Sequence, residues 1–117
     1  MVLTLPVPPT ANLWWRMYRG RMVKSKAARE YQETAAMIAL AARMPRFAKP
    51  IEVMVTVHWF RTQRRGDLDK RYSIMLDALQ GIAYDNDSQI AEIHAYRTLV
   101  PENPRMEVIV AEHGMPT

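Results

Sequence analysis

The sequence contains no cysteine, which excludes disulfide bonds, thiolate catalysis and zinc sites built on cysteine ligands. It has no uninterrupted apolar run long enough for a membrane span, so a transmembrane role is not expected. The first nine residues lack the basic and apolar regions of a secretory signal. There is also no internal repeat and no low-complexity tract. These absences favour a cytoplasmic location.

The chain is basic and of ordinary globular composition. Its 117 residues are 49% hydrophobic and carry a formal net charge of +4. That length fits one domain over residues 1–117, with a core of two layers. A positive balance weakly favours a polyanion such as nucleic acid as the partner.

Hydrophobic periodicity predicts an alternating order of elements. The order is strand, helix, strand, helix, strand, strand, over residues 2–7, 26–43, 51–60, 68–80, 89–99 and 105–112. It predicts an α/β fold with a mixed sheet of about four strands and two helices packed on one face. Residues 10–24 are expected to be irregular, and Ser25 is expected to cap the first helix.

An acidic cluster is the main chemical signal in this basic chain. Asp67 and Asp69 flank the start of the second helix, and Asp87 follows that helix just before a strand. Each of the first two, taken alone, is better explained as a helix N-cap. A return of the chain after the helix would bring Asp87 beside them, and three converging carboxylates would bind Mg²⁺ or Mn²⁺.

The exposed face of the second helix continues this polar pattern. Asp69, Ser73 and Asp77 recur every fourth residue, and Lys70 lies beside them. For Asp77 an ordinary solvated helix face is the preferred interpretation. Lys70 is a candidate cation for stabilising negative charge on a phosphate during reaction.

Basic side chains gather in two segments that could contact a phosphate backbone. The alternative for the first segment is a solvated coil, and its tryptophans are more typical of a core or a dimer interface. The candidate nucleic-acid contacts are Arg16, Arg19, Arg21 and Lys24 in the first segment and Arg61, Arg64 and Arg65 in the second. The three histidines have no metal-ligand spacing and receive no role.

Four short motifs together resemble the RusA family of Holliday junction resolvases. They are Asp67-Leu68-Asp69, Leu76-Asp77-Ala78-Leu79, Gly81-Ile82-Ala83-Tyr84 and Asp87-Ser88-Gln89-Ile90. The N-terminal Leu5-Pro6-x-Pro8-Pro9-Thr10-x-Asn12, followed by Arg19-Gly20-Arg21, is similar to that family as well. The resemblance therefore extends over nearly the whole chain.

The resemblance implies a Mg²⁺-dependent homodimer, often encoded by a phage or prophage, that acts in DNA recombination and repair. Such an enzyme binds four-way junction DNA and nicks opposite strands in pairs. The essential aspartates of the family correspond to Asp67, Asp69 and Asp87, which would be both catalytic and metal-binding. Lys70 joins them as a catalytic candidate.

Two departures from the family keep alternatives open. Lys70 stands where the family usually has asparagine, and Ser73 stands where it usually has a lysine important for activity. Lys70 lies on the same side of the helix as Ser73, so its ammonium is a candidate replacement. The first alternative is a junction-binding protein with impaired catalysis. The second is a small metal-binding or interaction domain with no nucleic-acid role.

Overall fold

The computed structural model describes residues 1–115, and its centre is a four-stranded mixed sheet with the strand order β1-β6-β4-β5. Strand β5 is parallel to β4, whereas β6 is antiparallel to β4 and β1 is antiparallel to β6. The strands are β1 (Leu3–Leu5), β4 (Val53–Arg61), β5 (Ile90–Leu99) and β6 (Arg105–Glu112). A separate hairpin consists of β2 (Trp15–Tyr18) and β3 (Arg21–Lys24).

Alternation along β4 explains why it lies inside the sheet. Val53, Val55, Val57 and Trp59 are buried, while the residues between them are only half-buried. Because side chains alternate across a strand, this pattern places one apolar face against the helices. The opposite face of β4 is partly open to solvent.

Two main helices cover the apolar face of the sheet. Helix α2 (Lys26–Ala41) packs on β1, and helix α3 (Leu68–Ala78) packs on β4 and β5. The predicted cap of α2 is present, because the Ser25 hydroxyl accepts a hydrogen bond from the Ala28 N–H at 3.0 Å. No helix within residues 1–115 is long and apolar enough to cross a membrane.

The predicted α/β fold and its order of elements are confirmed, but residues 10–24 are not irregular as expected. They form a short helix, α1 (Ala11–Trp14), and the β2–β3 hairpin. Both central residues of the hairpin turn have positive φ, 50° at Arg19 and 74° at Gly20. Two-residue hairpin turns favour that conformation, but arginine rarely adopts it, so the turn is hard to predict from these residues.

A single buried glutamine joins two loops at the edge of the sheet where β4 and β5 begin. Gln89, which is 4% exposed, ends a short 3₁₀ helix (Asp87–Gln89). Its Nε2 donates to the carbonyls of Phe47 and Ile51, each at 2.9 Å. Its Oε1 accepts from the backbone N–H groups of Asp85 and Asn86 at 2.8 and 2.9 Å. Gln89 therefore fixes the backbone that leads into Asp87.

Replacing Gln89 with leucine would leave four backbone groups without their partners. We expect Gln89→Leu to lower the free energy of unfolding by about 3 kcal/mol, because buried unsatisfied polar groups are costly. Urea denaturation measures this change. The control is Gln32→Leu, since the Gln32 side chain makes no hydrogen bond to the described residues. Equal losses in the two variants would contradict the role assigned to Gln89.

Candidate active site

Asp67 lies at the N-cap position of α3, but its carboxylate does not cap the helix. The residue is extended (φ −98°, ψ 135°), and its side chain makes no capping hydrogen bond. It forms an ion pair with Lys70, whose Nζ lies 3.6 Å from Asp67 Oδ2. The side chain of Lys70 is 69% exposed and that of Asp67 is 66% exposed. The interpretation of Asp67 as a simple cap is therefore wrong, and its oxygens are accessible to a ligand.

The N-terminal motif and the acidic motif meet at one cavity of about 260 Å³. These two parts of the sequence are far apart in the chain, and only the fold brings them together. The cavity is lined on one side by Thr10, Ala11 and Asn12, and on the other by Gly66, Asp67, Lys70 and Arg71. The α3 N-terminus contributes partly free N–H groups and a positive dipole end to the same region.

A second cavity, of about 360 Å³, contains Asp69. Lys70 and Ala11 line both cavities, so Lys70 lies at the boundary between them. Ser73 lines the cavity of Asp69 as well. Lys70 thus lines the same cavity as Ser73, which supports its predicted role as a replacement cation. That role stays a prediction.

Asp87 lies at the other end of α3 from Asp67 and Asp69. Its backbone N–H donates to the side-chain carbonyl of Gln80, just beyond the last residue of α3, at 3.0 Å. With 11 residues, α3 is about 16 Å long. The expected convergence of the three carboxylates therefore does not occur within one chain, because α3 runs back along the sheet from the end of β4 to the start of β5.

The metal-ligand set within one chain is limited accordingly. Among residues 1–115, no three histidine or acidic side chains are grouped so that they could hold a metal ion. Mg²⁺ often binds through only one or two carboxylates and completes its shell with water and substrate phosphate oxygens. The exposed, hard oxygens of Asp67 and Asp69 fit such a partial site.

Asp77 is part of a polar network rather than a solvated helix face, which corrects the sequence-based interpretation. Its Oδ2 accepts a hydrogen bond from the buried Trp14 indole N–H at 2.9 Å and lies 3.3 Å from Lys24 Nζ. Its Oδ1 accepts from Gln80 Nε2 at 3.1 Å. Since Gln80 also binds the backbone of Asp87, this network connects the N-terminal hairpin to the Asp87 turn.

The charges of Asp77 and Asp87 both affect the buried hydroxyl of Tyr84. Burial raises the pKa of the Tyr84 hydroxyl well above its ordinary value, and the nearby charges of Asp87 and Asp77 raise it further. The hydroxyl donates to the carbonyl of Leu76. The second acidic group is therefore Asp77 with Asp87, separate from Asp67 with Asp69.

The β2–β3 hairpin presents most of the first basic segment to solvent. Arg16 and Arg19 both lie over the ring of Tyr18, at 5.3 and 5.2 Å from its centroid. Arg21 is also exposed, whereas Lys24 is paired with Asp77. The roles of these four residues in binding DNA stay predictions.

The second basic segment follows β4 and reaches a third cavity. Arg61 and Arg65 line it, and so does Arg71 of α3, which the sequence analysis did not single out. The signal for Arg71 was its spacing of four residues from Asp67, which places it one helical turn into α3. Arg64 does not line this cavity.

Comparison with known proteins gives one consistent result. A family model described as endodeoxyribonuclease RusA matches residues 6–111. Relatives named crossover junction endodeoxyribonuclease RusA include those of Escherichia coli K12, 29% identical, and Shigella sonnei Ss046, 28% identical. A protein of the same name from Enterobacteria phage 82 is 28% identical. Each alignment extends over 114 residues, 96% of this chain and 94% of the relative. Because the family model covers nearly all of the sequence, the chain belongs to the RusA endodeoxyribonuclease family.

Proposed function

We propose that this protein is a Mg²⁺-dependent endodeoxyribonuclease that resolves Holliday junctions by paired nicks in opposite strands, in DNA recombination and repair. Relatives over almost the whole chain carry the name crossover junction endodeoxyribonuclease. The observation that carries the proposal is the pair of accessible carboxylates, Asp67 and Asp69, which line adjoining cavities at the start of α3. The basic hairpin and the arginines after β4 supply the positive surface that a DNA backbone requires.

In this proposal Asp67 and Asp69 hold Mg²⁺ or Mn²⁺. When bound, the ion supplies Lewis-acid activation of water and neutralises charge on the leaving oxygen. The Asp67 side chain makes no capping hydrogen bond, so its oxygens are available to the ion. Lys70, between the two cavities, stabilises negative charge that develops on the phosphate.

We further infer that Asp87 acts on the site of a second copy of the chain. Within one copy, the length of α3 separates it from the other two aspartates. A homodimer with two-fold symmetry could place Asp87 of each copy beside Asp67 and Asp69 of the other. Two such sites would match the two-fold symmetry of a four-way junction and permit symmetric nicks.

A catalytically impaired junction-binding protein is the second candidate. One observation favours it, namely Ser73 in place of the lysine that the family usually has. Cleavage of a synthetic four-way junction in the presence of Mg²⁺ distinguishes the two candidates. The proposed enzyme nicks the junction, whereas the binding protein only retards it in a gel.

Neutralising Asp69 tests the metal site directly. We expect Asp69→Asn to reduce Mg²⁺-dependent junction cleavage at least about 100-fold, because a metal ligand is lost. Junction affinity should stay within about threefold, because affinity comes mainly from basic residues. Glu102→Gln, an exposed loop substitution with the same change in charge, is the control. An unaltered cleavage rate in Asp69→Asn would rule out the site.

Mixing two inactive variants tests whether Asp87 acts across the dimer. We expect Asp69→Asn and Asp87→Asn to be inactive separately. After unfolding and refolding together, half of the dimers should be mixed, and each mixed dimer has one intact site. About a quarter of all sites are then active. Because a mixed dimer has only one active site, its product is a junction nicked in a single strand. A mixture that stays as inactive as its parents would contradict the shared site.

Removing the Lys70 ammonium separates catalysis from binding. We expect Lys70→Ala to slow cleavage about 100-fold and to weaken junction binding less than about threefold, because the charge acts mainly on the reacting phosphate. The control is Lys26→Ala, since Lys26 is exposed and pairs with Glu30 on α2. Equal losses in rate and affinity would reduce Lys70 to an ordinary DNA contact.

A further inference from the structure

A cleft of about 480 Å³ lies beside the end of β4, and its charged lining is entirely cationic. Three arginines contribute to it, Arg61, Arg65 and Arg71, and none of the described residues that line it is acidic. Gln63 adds a neutral hydrogen-bonding group, and Trp59 adds apolar surface. Positive groups gathered in one concave site without carboxylates repel each other unless an anion joins them.

Two of these arginines are held by one aromatic ring. The guanidinium of Arg71 lies 4.8 Å from the Trp59 ring centroid, and that of Arg61 lies 5.6 Å from it. Such cation–π contacts restrain flexible side chains. Trp59 itself is only 4% exposed, so its ring cannot serve as a stacking surface for a base. Its role in the cleft is to orient the two guanidinium groups.

Gly66 lies close against the Trp59 ring. This glycine has φ +93°, and a Cβ atom there would lie 2.9 Å from Trp59 Cη2. The residue directly before Asp67 is thus in contact with the ring that orients the arginines. The contact between Gly66 and Trp59 therefore links the acidic site to the cleft.

The hydrogen bonding of the two guanidinium groups is incomplete. Arg71 Nη1 donates to the carbonyl of Pro8 at 2.8 Å, which leaves its other donors free for a ligand. Arg61 Nε is buried and has no hydrogen-bond partner among the described residues. Arg61 thus has an unsatisfied donor, which a shift of its side chain towards a bound anion would satisfy. Burial lowers the pKa of Arg71, but arginine remains ionised at any physiological pH.

Arg71 also forms part of the wall of the cavity that contains Asp67. The cleft and the acidic cavity therefore adjoin along one side chain. A DNA strand that is bound at Asp67 would continue past Arg71 towards Arg61. Planar guanidinium groups match the geometry of phosphate oxygens better than ammonium groups do.

We propose that the cleft between Arg61, Arg65 and Arg71 binds a backbone phosphate of the DNA strand that neighbours the phosphate being cut. Arg61 and Arg71 are then positioning residues, which set the register of the strand relative to Asp67 and Asp69. The identity of the strand as junction DNA rests on the proposed function. The affinity of the cleft for a phosphate group does not.

A phosphate-by-phosphate substitution experiment tests the proposal. Single neutral methylphosphonates are placed around the cleavage position of a synthetic junction, and binding is measured without divalent metal. For wild-type protein, one neighbouring position should weaken binding about tenfold, as expected for a charged hydrogen bond. In Arg71→Gln, a methylphosphonate at that same position should weaken binding almost no further, whereas methylphosphonates at other positions should have the same effect as in wild type.

Two variants complete this experiment. Arg43→Gln, at an exposed arginine just after α2 that lines neither cavity nor cleft, is the matched control and should retain the wild-type pattern. Arg61→Gln provides a second test should Arg71→Gln fail to fold. If methylphosphonate effects are the same in wild type and in the cleft variants at every position, the cleft does not bind a strand phosphate.

A measurement without junction DNA distinguishes failure of this proposal from failure of the proposed function. In nuclear magnetic resonance spectra, the Nε–H signals of Arg61 and Arg71 should shift saturably on titration with the dinucleotide TpT or inorganic phosphate, and that of Arg43 should not. Shifts at the cleft together with an unaffected cleavage rate in Asp69→Asn would support the cleft and overturn the nuclease site. Shifts no larger than at Arg43 would overturn the cleft.

Discussion

The parallel pairing of β4 and β5 is the constraint on which the arrangement of the site depends. Parallel neighbours need a connection that returns along the full length of the strands, and α3 provides it. The helix therefore begins where β4 ends and finishes where β5 begins. Asp67 and Asp69 lie at the first of these positions and Asp87 at the second. The same crossover that supplies the acidic helix N-terminus thus prevents one chain from gathering all three carboxylates.

Buried or partly buried polar contacts hold the loops around this crossover in place. Gln89 binds four backbone groups, and the Asp77 carboxylate joins an indole, an ammonium and an amide. Both side chains belong to motifs noted in the sequence, but their partners are distant in the chain and only the fold reveals them. Together these contacts hold the N-terminal hairpin and the Asp87 turn at the same end of α3. The position of the basic hairpin relative to Asp87 is therefore fixed.

Acidic and basic side chains lie close together at the start of α3. Lys70 lines the cavities of both carboxylates at the helix start, and Arg71 lines both the Asp67 cavity and the arginine cleft. A phosphate that approaches this region is attracted by the neighbouring cations, which offsets its repulsion by the carboxylates. In the proposed function, metal binding and strand binding therefore share the first turns of one helix.

The sequence by itself determined the sheet strands, the two main helices and the Ser25 cap, because periodicity and capping are local properties of adjacent residues. It also placed Asp67 and Asp69 together, since only two positions separate them. The tertiary structure alone decided that Asp87 lies at the far end of α3, that Asp77 is bound by Trp14, and that Arg71 joins Arg61 on one ring. These outcomes depend on the direction of strand pairing and on long-range packing, neither of which leaves a periodic signal in the chain.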